Sequence, residues 1–154
     1  MSVANGERSA NRGSCAQNCR LPYNLIDGNG ETLIKNSHLL SIKDFDVSDQ
    51  IPNLVEAGIC SFKIEGRLKD IVYVKNNVSY LRQKLDTFLE GDGYDKYTKA
   101  SSGTCTYTFD SALNKTFNRG YTDYFVNERH QSIGSWESPK SKGQYIGKLV
   151  RTIG

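Results

Sequence analysis

The stretch DIVYVKNNVSYLRQKLDTFLEG, residues 70–91, carries the clearest structural pattern of this 154-residue chain. Its apolar side chains recur at alternating steps of three and four residues, which aligns them on one face of a helix of about five turns. They are Ile71, Val74, Val78, Leu81, Leu85 and Phe88. Asp70 is a good N-cap and Gly91 a typical helix terminator. We therefore predict a long amphipathic helix that packs its apolar face on a sheet.

The residues before this helix predict a βαβ unit. Residues 39–43 and 59–64 have the composition of strands. Between them, Ser48 is a plausible N-cap, Pro52 fits a first helical turn, and Gly58 fits the left-handed position after a short helix. Because no tight turn joins the two strands, we expect them to be parallel.

An arm and a hairpin are predicted further upstream. The first twenty residues are rich in Asn, Ser, Gly and Arg and lack an apolar period. We therefore predict an arm that has no regular structure unless another part of the protein orders it. Residues 27–30, Asp-Gly-Asn-Gly, lie between two short apolar stretches and favour a tight turn. This pattern predicts a β-hairpin over residues 23–34.

The composition changes after Gly91 towards Gly, Ser, Thr and Tyr. Short segments at 104–109, 121–126 and 145–150 are typical of strands separated by turns. The sequence therefore predicts an α+β fold, in which a βαβ unit with a long amphipathic helix precedes a small β-rich domain. The predicted domain boundaries give an arm with a hairpin at 1–38, the βαβ unit with the long helix at 39–91, and the β-rich domain at 92–154.

Charge and hydropathy narrow the class of protein. The chain has 20 Lys and Arg, 17 Asp and Glu, and 37% hydrophobic residues, enough for one modest core. The net charge is −1 over residues 1–110 and +4 over residues 111–154, so the positive charge lies in the last part. No apolar run approaches the roughly 20 residues that cross a bilayer, and no signal peptide is visible. We expect a cytoplasmic protein that does not span a membrane.

Four cysteines, at positions 15, 19, 60 and 105, are too unevenly spaced for a secreted disulfide framework. Cys15 and Cys19 could present two sulfurs to one metal centre. This spacing is weak evidence alone, because zinc needs two further ligands and a four-iron cluster needs four thiolates. Cys60 is expected to be a small buried residue, and Cys105 is also expected to be structural.

A charged junction lies between the second predicted strand and the long helix. It contains Lys63, Glu65, Arg67 and Lys69. Anions bind at strand ends and at helix N-termini, so Lys63, Glu65 and Arg67 form a candidate substrate or anion site. The alternative is a solvated cluster that only closes a turn.

A second group, residues 115–125, mixes cations with aromatic rings. Lys115 and Arg119 are candidate RNA-binding residues, and Lys140 extends the positive surface. The alternative is that the rings form the core face of a small β structure. Neither histidine, His38 or His130, belongs to a recognisable hydrolase motif.

Four strings together resemble the collagenase-like peptidase family in the same order: NRGSCAQNCRLPY at 11–23, LLSIKD at 39–44, AGICSFKIEGR at 57–67 and KTFNRG at 115–120. The resemblance spans nearly the whole chain. The better-understood members of this family resemble RNA hydroxylases that use prephenate and an iron–sulfur cluster. They make 5-hydroxycytidine in large-subunit ribosomal RNA or related products in tRNA, and the resemblance implies a similar activity for the protein to which this chain belongs. KTFNRG and the following Ser138-Pro139-Lys140 are most similar to the ribosomal RNA branch.

The resemblance implies that Cys15 and Cys19 are two of four ligands of a four-iron four-sulfur cluster. The other two would belong to a preceding N-terminal part that forms most of a TIM-like barrel. The chain then resembles an inactive C-terminal fragment, in which we expect no cluster. Lys63, Glu65 and Arg67 would lie near the substrate mouth of the completed barrel, with Lys63 and Arg67 close to a prephenate carboxylate.

Three readings follow from the resemblance and the residues. The first is part of an RNA hydroxylase, with RNA as partner and prephenate as co-substrate. The second is a peptidase, as the family name says, and the third is a non-catalytic RNA-binding or assembly module at residues 104–154. Exposed sheet edges also suggest a homodimer.

Overall fold

The computed structural model describes residues 8, 10–66, 68–91, 93, 95–129 and 132–152. Four strands and two α-helices form in these residues, which confirms the α+β class. In chain order they are β1 (Tyr23–Ile26), β2 (Thr32–Ser37), β3 (Asp44–Phe45), α1 (Ile51–Glu56), α2 (Ile71–Glu90) and β4 (Tyr121–Thr122). Short 3-10 turns lie at Ala10–Arg12, Asn18–Arg20, Ser48–Gln50 and Leu113–Lys115.

The long helix α2 begins and ends where the sequence predicts. The Asp70 side chain accepts a hydrogen bond from the Tyr73 backbone N–H at 2.7 Å, which caps the first turn. At the other end, the Gly91 N–H donates to the carbonyl oxygens of Thr87 and Phe88. Both termini are therefore fixed by contacts within a few residues.

The packing predicted for α2 is wrong. Ile71, Val74 and Val78 of the apolar stripe are exposed. The face that α2 buries carries Asn76, Asn77, Ser79 and Phe88. The reason is that residues 59–64, which were to supply the neighbouring strand, remain outside any sheet.

The predicted parallel strands at 39–43 and 59–64 do not form. The first segment makes a turn and a single bridge, between Ile42 and Gly134. The second has no regular structure. The parallel pair of the described residues joins β3 to β4 instead, with Asp44 opposite Tyr121. A strand needs a neighbour to pair with, and strand propensity alone does not provide one.

The short helix between these segments is confirmed. Pro52 lies in the first turn of α1, and Gly58 has φ +93° at the predicted left-handed position. Ser48 is not the N-cap that the sequence predicts. It lies inside the 3-10 turn before α1, where its N–H donates to the carboxylate of Asp46 at 2.9 Å.

The hairpin is also confirmed, as the antiparallel pair of β1 and β2. The Asp27 carboxylate accepts hydrogen bonds from the N–H groups of Asn29 at 2.9 Å and Glu31 at 2.8 Å. This Asx-type turn, with Gly30 at φ +89°, fixes the connection.

The last third has less strand than predicted. Residues 104–109 and 145–150 form no strand, and only Tyr121 and Thr122 of the segment 121–126 are in one. The buried hydrophobic residues of the described chain are Ile51, Phe88 and Leu113, from α1, α2 and the 3-10 turn that packs against α2. No helix among the described residues has both the length and the apolar character to cross a membrane.

Candidate functional site

A basic pocket opens at the start of α2. Its volume is about 500 Å³. Three parts of the chain form it: the residues around the helix N-terminus, the KTFNRG loop and the segment 141–143. The lining residues include Lys69, Asp70, Tyr73, Lys115, Phe117 and Ser141.

Lys69 is the cation closest to the start of the helix. Its ammonium lies over the ring of Phe117, a cation–π contact that holds the side chain above the loop. Burial lowers the pKa of Lys69, and the negative charge of Asp44 opposes this effect. Lys115 lines the same pocket from the end of a 3-10 turn. Two lysines therefore line the pocket at the N-terminal end of α2, an arrangement suited to an anion.

An ion pair with β3 holds the KTFNRG loop in place. Arg119 donates to the Asp44 carboxylate from its backbone N–H at 2.8 Å, from Nε at 3.3 Å and from Nη2 at 2.5 Å. The Arg119 side chain is only 11% exposed. Its guanidinium is thus paired with Asp44 and stabilises the loop. The RNA contact that the sequence predicts for Arg119 stays a prediction.

Buried Asn118 fixes the shape of the loop. Its Nδ2 donates to the Thr116 carbonyl oxygen at 2.9 Å, and its Oδ1 accepts from the Gly120 N–H at 3.2 Å. Its backbone joins the loop to the following chain, because the Asn118 N–H donates to Ser141 Oγ and the Lys142 N–H donates to the Asn118 carbonyl oxygen. The segment 141–143 therefore closes one side of the pocket.

The predicted anion group lies outside this pocket. Lys63 and Glu65 form an ion pair at 2.8 Å with side chains 86% and 73% exposed, which is the geometry of a solvated pair. That contact raises the pKa of Lys63 and lowers the pKa of Glu65. Arg67 lies outside the described residues. Lys140 is exposed and does not line the pocket. Their roles in binding stay predictions.

Sequence reasoning places Lys69 in the charged junction but gives it no role. In the structure Lys69, and not Lys63, lines the same pocket as Lys115. The sequence does indicate its location, because Lys69 directly precedes the predicted N-cap Asp70 and must therefore lie at the start of α2.

The two cysteines of the arm are exposed free thiols. Cys19 lies in the 3-10 turn Asn18–Arg20, and the Gln17 N–H donates to Cys15 Sγ at 3.4 Å. Exposed thiols have the right chemistry to bind iron. Within the described ranges, no group of three or more His, Cys, Asp or Glu side chains is placed to hold a metal ion. Cys15 and Cys19 could therefore supply two ligands of a larger set.

Cys60 differs from expectation in its surroundings. Cys60 is exposed, so the prediction that it is buried is wrong. The physical reason is that residues 59–64, which include Cys60, are in no strand, so no sheet surrounds the side chain. Cys105 is exposed as well.

His38 Nδ1 and the Ser41 hydroxyl do not form a hydrolytic pair. His38 is the histidine in this part of the chain, and its buried Nδ1 has no hydrogen-bond partner. The nearby Ser41 is fully buried and its Oγ also has no partner. A substrate cannot reach a fully buried hydroxyl. His130 lies outside the described residues.

Comparison with known proteins gives one matching family and several relatives. The model of peptidase family U32 matches residues 1–135. The chain is 48% identical to the 23S rRNA 5-hydroxycytidine C2501 synthase of Escherichia coli over 98% of its own length and 23% of the relative. It is 31% identical to a collagenase of Porphyromonas gingivalis, over 98% of the chain and 40% of the relative.

A tRNA hydroxylation protein P1 of Bacillus subtilis is 38% identical over 53% of the chain and 21% of the relative. The chain thus spans between about a fifth and two fifths of the length of these relatives. No solved structure matches it.

Proposed function

The chain belongs to peptidase family U32, and from this membership and the basic pocket we propose that it is the RNA-binding part of an RNA-hydroxylating protein. The modification proposed is 5-hydroxycytidine in large-subunit ribosomal RNA. The observation that carries the proposal is the similarity to the E. coli synthase across nearly the whole chain. The family includes collagenases by name as well, so the choice between RNA and protein substrates depends on the site.

The pocket favours RNA because it offers two cations, Lys69 and Lys115, to a phosphate backbone. Lys69 and Lys115 would bind a phosphate at the N-terminal end of α2. Lys140 would add a further contact along the positive surface. Arg119 contributes indirectly, since its ion pair with Asp44 keeps the loop that carries Lys115 in place.

Salt dependence of RNA binding tests this proposal. The probe is a fluorescent RNA oligonucleotide centred on the cytidine modified by the E. coli relative, and fluorescence anisotropy gives the affinity. Removing one lysine–phosphate interaction should reduce the slope of log K against log salt by about 0.7 for single-stranded RNA. Lys115→Ala should show this reduction. Lys35→Ala, which removes the same charge from exposed β2, should not.

Equal slopes for the two variants would refute a phosphate contact at Lys115. Hydroxylation itself is tested in an E. coli strain without the synthase. A hybrid synthase that carries this chain in place of its own matching segment should restore 5-hydroxycytidine, measured by mass spectrometry of nucleosides. A hybrid that folds and binds RNA but leaves cytidine unmodified would refute the proposed reaction.

We propose that Cys15 and Cys19 hold half of a four-iron four-sulfur cluster in the complete protein. When bound, such a cluster supplies one-electron chemistry. The exposure of both thiols supports this role. In the hybrid synthase, Cys15→Ser or Cys19→Ser should abolish bound iron, whereas Cys105→Ser should leave the iron content unchanged. Full iron content in the first two variants would refute the assignment.

Prephenate is the proposed co-substrate, with Lys63, Glu65 and Arg67 as the group that binds its carboxylates. The Lys63–Glu65 ion pair would have to open to release the ammonium for this contact. In the hybrid synthase, Lys63→Ala should raise the concentration of prephenate needed for hydroxylation, while Lys35→Ala should not. The proposed reaction on ribosomal RNA would take place in the cytoplasm.

A homodimer is proposed through the hairpin. In the described part of the chain, β1 and β2 form a sheet of their own, so each strand has an outer edge without a neighbouring strand. Such an edge can pair with the same edge of a second copy. Light scattering after size-exclusion chromatography should give the mass of a dimer. A monomer mass together with a cooperative melt would refute this pairing.

A peptidase is the second candidate, because the P. gingivalis collagenase matches the same share of the chain. Its test is gelatin cleavage by the purified chain. Cleavage that one Ser, Cys or His substitution abolishes would replace the RNA proposal. The burial of Ser41 predicts that Ser41→Ala is not that substitution.

A further inference from the structure

We infer that the indole ring of Trp136 is a platform on which one base of the bound RNA stacks. The inference rests on the proposed RNA binding and deepens it. The lysines of the basic pocket would contact phosphate, which is the same for every nucleotide, whereas a ring contacts the base itself. Trp136 is the single tryptophan of the chain, and it is 51% exposed although tryptophan usually buries most of its surface.

Hydrogen bonds between distant parts of the backbone hold the segment that carries this ring. The His38 N–H donates to the Trp136 carbonyl oxygen at 3.0 Å. The Ser135 N–H donates to the Ser41 carbonyl oxygen at 2.8 Å, and Ser135 itself is buried. The backbone on both sides of the Cα of Trp136 is therefore fixed, so the ring starts from a rigid support.

Gly134 determines where the ring lies. A Cβ atom added to Gly134 would be 2.1 Å from Trp136 Nε1, 2.6 Å from Cδ1 and 2.8 Å from Cε2. The five-membered ring of the indole therefore packs directly on the main chain of Gly134. Among the residues that the structure describes, the paired aromatic rings are Phe45–Tyr124 and Phe88–Tyr97, so no other ring covers the exposed part of Trp136.

The charges on the same segment suit the phosphates that flank a stacked base. Glu137 forms an ion pair with Lys142 at 3.8 Å, which offsets its negative charge. Lys140 is exposed, and Lys43 Nζ donates to the Ser132 carbonyl oxygen at 2.9 Å. An aromatic ring among cations is the usual combination in proteins that bind single-stranded RNA.

The ring and the basic pocket are close enough to contact the same RNA strand. Ser141 lines the pocket and follows Trp136 by five residues, so their Cα atoms are at most about 18 Å apart. The connection is folded, because Ser135 Oγ donates to the Ser138 carbonyl oxygen and the Lys140 N–H donates to Ser138 Oγ, both at 3.1 Å. This distance is within a single-stranded binding site, which extends over about 4 to 16 nucleotides.

Tryptophan fluorescence tests the contact directly, because Trp136 is the sole source of this signal in the chain. Titration of the full chain with the RNA oligonucleotide, here without its fluorophore, should quench most of the emission. An oligonucleotide of the same length that lacks bases should quench much less. Binding of RNA, measured by anisotropy, without quenching would overturn the inference and leave the proposed RNA binding standing.

Substitution of the ring should change the affinity. Trp136→Leu should bind the RNA oligonucleotide about tenfold more weakly, and Trp136→Phe, which keeps a ring, should lose less. Phe109→Leu is the matched control, because Phe109 is also an exposed aromatic residue and does not line the pocket. Equal affinities of Trp136→Leu and Phe109→Leu would overturn the inference.

Gly134→Ala moves the ring without removing it. This variant should show weaker quenching by RNA than the wild type, because the new methyl group occupies the place of the indole. Slow amide exchange of the Ser135 N–H would show that the backbone contact with Ser41 is intact in the variant. Quenching equal to that of the wild type would overturn the positioning by Gly134.

A mononucleotide separates failure of the platform from failure of the proposed function. Cytidine monophosphate should quench the fluorescence of Trp136 in a saturable way, whereas ribose 5-phosphate, which has no base, should not. Saturable quenching by cytidine monophosphate in a chain that does not bind the oligonucleotide would support the platform and refute the proposed RNA binding. No quenching by either the mononucleotide or the oligonucleotide would overturn the platform.

Discussion

Asn76 attaches α2 to the segment that carries the RNA-binding loop, and replacing it with alanine should destabilise the chain strongly. The side chain is only 7% exposed. Its Nδ2 donates to the Ala112 carbonyl oxygen at 2.8 Å, and its Oδ1 accepts from the Ala112 N–H at 2.8 Å. Nδ2 also lies 3.4 Å from Thr116 Oγ1. The amide therefore pairs with both backbone groups of one residue, as a neighbouring strand would.

The cost follows from those two bonds. Asn76→Ala removes both and leaves the Ala112 N–H without a partner, whereas the Ala112 carbonyl oxygen still accepts from the Lys115 N–H at 3.2 Å. The change should therefore lower the free energy of unfolding by about 2 kcal/mol. Asn77 is a matched control, because it is adjacent, 8% exposed, and donates one bond to the Tyr73 carbonyl oxygen at 2.8 Å. That oxygen remains within the hydrogen-bonded ladder of α2, so Asn77→Ala should cost about 1 kcal/mol.

Urea denaturation, monitored by circular dichroism, measures the free energy of unfolding of both variants. Asn76→Ala should also weaken RNA binding under native conditions, because Lys115 follows the detached segment. Asn77→Ala should not. A difference of less than about 0.5 kcal/mol between the two variants would refute the reasoning, since errors from the unfolded state are of that size.

Three further outcomes are expected. Asp70→Ala should lower the free energy of unfolding by about 1 kcal/mol through loss of the helix cap, with Asp70→Asn closer to the wild type in thermal melts. Contacts with Arg82 and Lys99 lower the pKa of Asp86 to about 2 from 3.8, so its contribution is present above about pH 4 and lost as the pH falls through 2. The stability gap between wild type and Asp86→Asn should therefore be about 1 kcal/mol at neutral pH and close towards pH 2, as measured by urea titration. Leu68 is 85% exposed at φ +62°, so Leu68→Gly should raise the free energy of unfolding by about 0.5 kcal/mol in the same assay, and a decrease would contradict the strain argument.

The sequence predicts those elements whose determinants lie close together. For α2 the cap at Asp70 and the end at Gly91 are local, and both are confirmed. The hairpin depends on Asp27 and the glycines beside it. Residues 59–64 depend instead on neighbouring strands, which no local pattern reveals, so the strand predicted there is wrong.

The same distinction applies to the candidate site. The KTFNRG string is recognisable in the sequence, and Lys115 indeed lines a basic pocket. The partner of Arg119 is 75 residues away, so its engagement with Asp44 is visible only in the structure. Lys69 gains its importance from the Phe117 ring, which belongs to a loop that follows α2 in the chain. Contacts between segments that are far apart in the chain cannot be predicted from the sequence alone.

Among the described residues, buried polar side chains outnumber the buried hydrophobic ones, which are Ile51, Phe88 and Leu113. Exposure of apolar surface raises the heat capacity of unfolding, and exposure of polar surface lowers it. Calorimetry should therefore show a heat-capacity increment below the usual value of about 12 to 15 cal/mol/K per residue. Such a chain has a shallow stability curve, in which cooling and moderate warming change the folded population little.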